Sequence, residues 1–144
     1  MSIGDESLGE DEEVELSEVS ELVDFLIMQN IKRYLPAWVR EVLGVGIDRL
    51  RRRVIEGIGE FDGYAEVGNK VIVAKITVTL RPRDVKDFVG KVNKLRQTMA
   101  GREVIAIIAH VFKGRNFNKA VELARANGIR VIKHYGEEDF EEVT

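Results

Sequence analysis

GEFDGYAEVGNKVIVAKITVTLRPRDVKDFVGKVNKL, residues 59–95, is the stretch that decides the fold. Up to Leu80 its apolar residues alternate with a period of two. Beyond Pro82 they recur at spacings of three and four, the signature of a helix. Gly68-Asn69 between two alternating runs is a hairpin turn signal. The two strands read as Val54–Val67 and Lys70–Leu80. A two-residue turn pairs Val67 with Lys70, sets Asp62 opposite Lys75, and sets Glu60 opposite Thr77. Side chains alternate across a strand, so Glu60, Asp62, Tyr64 and Glu66 are expected to share a face with Val71, Val73, Lys75 and Thr77. The other face, with Phe61, Ala65, Ile72, Ala74 and Ile76, is expected to be core.

Working outward, Arg81-Pro82 ends the second strand and a helix is expected over Arg83–Met99. Glu103–Val111, with its apolar centre VIAIIA, reads as a strand buried on both faces. A helix over Asn116–Asn127 and a strand over Ile129–Lys133 complete two crossovers, which favour parallel pairing. Upstream, the apolar spacing from Val14 predicts a helix, kinked or restarted at Pro36 and ended by Gly44. The segment Val45–Arg53 is ambiguous. The expected organisation is a disordered acidic tail at 1–13, an N-terminal helical extension at 14–43, an α/β core at 44–135 and an acidic C-terminal tail at 136–144.

The 144 residues carry a net charge of −3, and the charges are strongly segregated. Residues 1–31 hold ten acids and no base, and residues 135–144 hold five acids and no base. All 22 Lys and Arg lie between Lys32 and Lys133, beside ten acids, so this body carries +12. Such a body suits a polyanion, although a charge-rich, thermophile-like surface would look the same. No apolar run is long enough to cross a membrane and no basic, apolar leader is seen, so a cytoplasmic location is expected. The chain has no cysteine, which excludes disulfides and thiolate chemistry. His110 and His134 each end a strand and read as structural residues. The serines gather in the N-terminal region, which leaves no nucleophile for a serine triad.

Chemistry is therefore expected at the hairpin. Glu60 and Asp62 are a pair of carboxylates able to hold Mg²⁺ or Mn²⁺, with Lys75 and Thr77 across from them. The plainer reading is a cross-strand Asp62–Lys75 ion pair on a half-buried face. Arg51, Arg52 and Arg53, in the densest cationic cluster, and Arg81 and Arg83, at the start of the following helix, are candidate phosphate contacts together with Lys75.

Residues 59–95 resemble the PD-(D/E)xK nuclease superfamily, the restriction-endonuclease-like proteins. The likeness is greatest to archaeal proteins of that fold with a leading long helix and no assigned function. It extends more loosely through GREVIAIIAH and AVELARANGIRVIKHY, covering roughly residues 17–135. The resemblance implies an aspartate on the first hairpin strand and a Glu-x-Lys on the second, the two acids binding metal and the lysine activating water. Asp62 stands at the aspartate position. Lys75-Ile76-Thr77 stands where Glu-x-Lys is expected, with one charge reversed and the other replaced by a hydroxyl. An ammonium in that place repels a divalent cation.

The resemblance thus implies an α/β, restriction-endonuclease-like core: a β-hairpin, then α-β-α-β, in a mixed sheet flanked by helices. The expected function is that of a degenerate nuclease-like domain that binds nucleic acid, DNA rather than RNA, without cutting efficiently and without a cofactor. One alternative is an active endonuclease with a rearranged Mg²⁺ or Mn²⁺ site on Asp62 and Glu60. The other is an assembly module, a homodimer formed through the N-terminal helix.

Overall fold

The computed structural model describes residues 10–143, with side chains from residue 15. The expected tail at 1–13 lies outside the described residues up to Gly9. From Glu10 onward the chain is already helical, because α1 runs from Glu10 to Trp38. A π-helical turn, Val39–Leu43, follows and closes on Gly44 in the left-handed region at φ 68°. Pro36 sits inside α1 and leaves the Lys32 carbonyl without its helical donor.

The strands are β1 (Arg51–Ile55), β2 (Gly59–Val67), β3 (Lys70–Ile76), β4 (Thr79–Leu80), β5 (Glu103–His110), β6 (Phe112–Lys113), β7 (Ile129–Gly136) and β8 (Asp139–Glu142). The later helices are α2 (Pro82–Thr98) and α3 (Phe117–Ala126). Six strands form one mixed sheet in the order β1-β2-β3-β5-β7-β8, and β4 and β6 form a small parallel pair beside it. β3, β5 and β7 are mutually parallel, while β2 and β8 run antiparallel to their neighbours.

The sheet is covered on both faces. Ile31, Leu35, Trp38 and Val39 from the α1 side pack with Ile72, Ala74, Ile76, Ile107, Ala109 and Ile132. Val85, Phe88, Val92 and Leu95 of α2, with Phe117, Ala120 and Ala124 of α3, pack on Phe61, Tyr64, Val71, Val73, Ala106, Ile108 and Val131. Four consecutive residues of β3, Val71 to Ala74, are fully buried. A central strand between two helical layers needs an unbroken apolar run, and each Val or Ile so buried contributes about 1.5–3 kcal/mol.

Four expectations are corrected. First, Val54–Val67 is two strands rather than one. Glu56-Gly57 forms a turn closed by the Ile58 amide on the Ile55 carbonyl at 3.0 Å, with Gly57 at φ 82°, a value that favours glycine. β1 and β2 then pair as a second hairpin. Second, Val71 and Val73 do not lie on a polar face; they are core under α2 and α3. Third, residues 136–143 do not form a tail, since Gly136 ends β7 and β8 pairs with β7 through His134↔Phe140; Thr144 lies outside the described residues. Fourth, α1 is not wholly an extension, because its second half forms one wall of the core.

Candidate nucleic-acid interface

The hairpin register agrees with the sequence from Val67↔Lys70 to Gly63↔Ala74. It then departs. On β1 the partners step from Arg51 to Arg53, while on β2 they step from Tyr64 to Phe61. Arg52 alone on β1 thus opposes two residues on β2, which is a β-bulge at Asp62-Gly63. The extra residue puts Phe61 on the same face as Tyr64, under α2, rather than with Ala65. Gly63 suits the bulge because an added Cβ would stand 3.0 Å from Leu50 Cβ and 3.3 Å from Ala74 Cβ.

The bulge decides what Asp62 does. Its Oδ2 accepts the Ile76 backbone N–H at 2.8 Å. The carboxylate supplies the acceptor for that amide where the register between β2 and β3 has ended. Among the described residues Asp62 makes no ion pair with Lys75, so the expected cross-strand pair is not formed. Thr77 lies past the end of β3 and donates its hydroxyl to the Thr79 carbonyl at 3.1 Å. Glu60 turns to Arg52, whose Nε donates to its carboxylate. That hydrogen bond holds the Glu60 carboxyl below the usual carboxylate range; desolvation partly opposes it, and the charges of Arg52, Lys91 and Lys32 add to it.

Asp62, Glu60 and Lys75 do line one opening, of 250 Å³, together with Phe61, Ala74, Phe88 and Lys91. Lys91 donates to the Glu60 carbonyl at 3.0 Å. The opening holds two carboxylates and two ammonium groups. Among the described residues no three His, Asp or Glu side chains stand together to hold a metal ion.

A larger cleft of 420 Å³ adjoins it on the α1 side, with Arg52 lining the cleft and its partner Glu60 lining the smaller opening. Gln29, Lys32, Arg33 and Pro36 of α1 form one wall, and Asp48, Arg49, Leu50, Arg51 and Arg52 form the other. Five cations face one carboxylate there. Among the described residues only Arg52 of the five makes an ion pair. Unpaired cations crowded on one surface repel each other until an anion enters, and arginine forks match phosphate geometry. Arg53 lies beside the cleft and stacks its guanidinium over Tyr64, 4.5 Å from the ring centroid. Tyr64 in turn donates to Glu66 at 3.0 Å.

The structure therefore brings Arg51 and Arg52 together, with Arg53 alongside and Lys75 in the next opening. Arg81 and Arg83 line neither opening; Arg81 caps α2, where its N–H donates to Asp84 at 3.1 Å. The reading from sequence does not single out Lys32 and Arg33, and it places Arg49 in the Arg49–Arg53 cluster without choosing it as a phosphate contact. Lys32 and Arg33 are the first cations after an acid-only stretch, which is the signal they offered. His134 is a satisfied core residue, with Nε2 2.7 Å from the Glu137 carbonyl and its ring stacked on Phe140. His110 differs. It is fully buried, and neither ring nitrogen has a hydrogen-bond partner among the described residues.

Fold and site together define a three-layer α/β domain, with a mixed six-stranded sheet and a cationic cleft between its first helix and its first strand. Residues 29–140 match the domain of unknown function DUF8196, and the chain belongs to that family. The matched span takes in every residue that lines the two openings. No curated protein and no solved structure matches the chain.

Proposed function

We propose that this domain binds nucleic acid, DNA in preference to RNA, in the cleft walled by Lys32, Arg33, Arg49, Arg51 and Arg52. The observation that carries the reading is the gathering of five cations, four of them without an ion pair among the described residues, around a 420 Å³ cleft. Pockets for small organic ligands are mostly apolar with a few polar groups, whereas this lining is mostly charged. A phosphate backbone matches it better. Lys75 and Lys91 extend the positive surface into the neighbouring opening.

The same domain reads best as a degenerate PD-(D/E)xK nuclease. The order of helix, antiparallel hairpin, then α-β-α-β in a mixed sheet supports that kinship. At the positions that would hold metal, Asp62 is engaged by an amide, Glu60 by Arg52, and Lys75 brings a positive charge. Binding without cutting follows, and no metal is required.

The test is a gel with labelled single-stranded, duplex and branched DNA. The expected result is a shifted complex in EDTA and no cleavage with Mn²⁺ or Mg²⁺. Cleavage that disappears in Asp62→Ala would instead favour the active, metal-dependent endonuclease.

A second reading, self-association through α1, has its own observation. Leu16, Val19, Leu22, Val23 and Leu26 lie on one side of the helix and are each half exposed, from 48% at Val23 to 57% at Val19. A contiguous apolar stripe of this kind marks a contact surface.

A further inference from the structure

We infer that the exposed stripe of α1 seats a basic amphipathic helix of another protein, apolar on one side with lysine or arginine beside it. It is the contact surface of the second reading above with a different occupant, and it does not depend on the cleft.

The apolar side of α1 changes along its length. Successive residues of a helix are turned by about 100°. Leu16, Val19, Leu22, Val23, Phe25 and Leu26 therefore share one half of the helix surface, and each is about half exposed. Ile31 and Leu35, which pack with the domain's own sheet, lie roughly 150° away around the axis. On their side the first half of the helix carries Ser17, Ser20 and Asp24, all exposed. The stripe thus faces away from the domain and is not an unfinished part of its core. Six large apolar side chains turned together to water mark the seat of another molecule.

Charge selects that molecule. Glu15 and Glu18 line a recess of 350 Å³ with Val19 and Leu22. Glu21 stands one turn before Phe25, on the border of the stripe. Among the described residues none of these three acids forms an ion pair. The first cation of the chain is Lys32, beyond the stripe.

A second α1 meets the stripe badly. Laid parallel, each acid faces its own copy. Laid antiparallel about Glu21, Glu21 faces Glu21 and Glu18 faces Asp24. Like charges are then held together in either direction. Nucleic acid is repelled for the same reason. A helix with lysine or arginine flanking its apolar residues covers the stripe and neutralises its acids at once. Leu16 to Leu26 spans about 15 Å, so about three turns of such a helix suffice.

Two synthetic helical peptides are the probes. Both carry leucines at spacings of three and four; one has lysine at the flanking positions and the other glutamine. The cationic body of the chain repels the lysine peptide, so its binding reports the acidic end. Fluorescence anisotropy of each labelled peptide with the full chain is measured at low salt, beside sedimentation of the chain alone. The expected result is a monomeric chain that binds the lysine peptide more tightly than the glutamine peptide. That advantage should shrink in Glu15→Gln/Glu18→Gln/Glu21→Gln. Leu22→Ser/Leu26→Ser keeps every charge and should lose affinity about tenfold or more, the scale of one leucine left in water.

Absent binding, equal affinity for the two peptides, or a lysine peptide indifferent to Leu22→Ser/Leu26→Ser overturns the inference. So does a chain that sediments as a dimer and is split by that variant. The occupant is then a second copy, and the self-association reading stands in its place.

Discussion

The Asp62 carboxylate accepts the Ile76 amide proton at 2.8 Å and so takes the place of a missing strand-to-strand hydrogen bond. One extra residue in β2 creates that vacancy in the ladder, and the same bulge aims Asp62 across it. The residue that looks most catalytic in the sequence is therefore part of the sheet's own hydrogen bonding.

Replacing Asp62 with alanine should accordingly weaken the fold. It leaves a buried amide without an acceptor, at a cost of about 1–3 kcal/mol. Asp62→Asn keeps a carbonyl acceptor and should lose less. Urea unfolding of the three proteins checks this. Equal stability of all three would show that the Asp62–Ile76 bond is unimportant.

Glu60 partly neutralises the cleft through Arg52. Its carboxyl is held below the usual range, so the ion pair is present at neutral pH and is lost only as pH falls through that lowered value. Glu60→Gln frees Arg52 at neutral pH and should raise affinity for duplex DNA. A DNA titration at neutral pH checks the sign, and lower affinity in Glu60→Gln would contradict it.

His110 makes a pH prediction of the opposite kind. Burial pushes its imidazole down to about 4; the backbone at Phe112 opposes this, and the charges of Lys133 and Lys113 add to it. Between that value and the ordinary 6.5 the unfolded chain binds a proton that the folded chain does not. Stability should therefore fall as pH drops through this window, by up to about 3 kcal/mol. His110→Phe removes the titrating group and should flatten the dependence. Unfolding midpoints across the window measure it, and identical slopes for both proteins would contradict it.

Gly63 should not tolerate a side chain. A methyl there presses on Leu50 and Ala74 in the core, so Gly63→Ala is expected to destabilise the fold by about 1–3 kcal/mol. A thermal melt of this variant, unshifted, would show that the bulge relaxes without strain.

The hairpin turn, the pairing from Val67↔Lys70 to Gly63↔Ala74, and the helix–strand alternation after Pro82 were legible in the sequence. Each rests on local chemistry: a Gly-Asn turn, period-two alternation, a proline at a helix start. The bulge was not legible, because nothing in GEFDGYAEV separates a regular strand from one with an extra residue. Val71 and Val73 were misread as half exposed because alternation is silent about a second helical layer. The C-terminal acids read as a tail because β8 pairs only once β7 offers an open edge. Charge density alone singles out Arg51 and Arg52, which line the cleft. Lys32 and Arg33 were missed because only tertiary packing carries α1 back beside them.

The most direct test of the central claim is the affinity for duplex DNA, measured across a salt series, of the unaltered chain and of Arg49→Glu/Arg51→Glu/Arg52→Glu. All three positions are exposed, so the variant should fold. Cleft binding predicts that log affinity falls linearly with log salt. It also predicts that the variant binds weakly, with a slope reduced by about 0.9 for each phosphate that is no longer neutralised. No binding at low salt, or an affinity and slope unchanged by the three reversals, would contradict it.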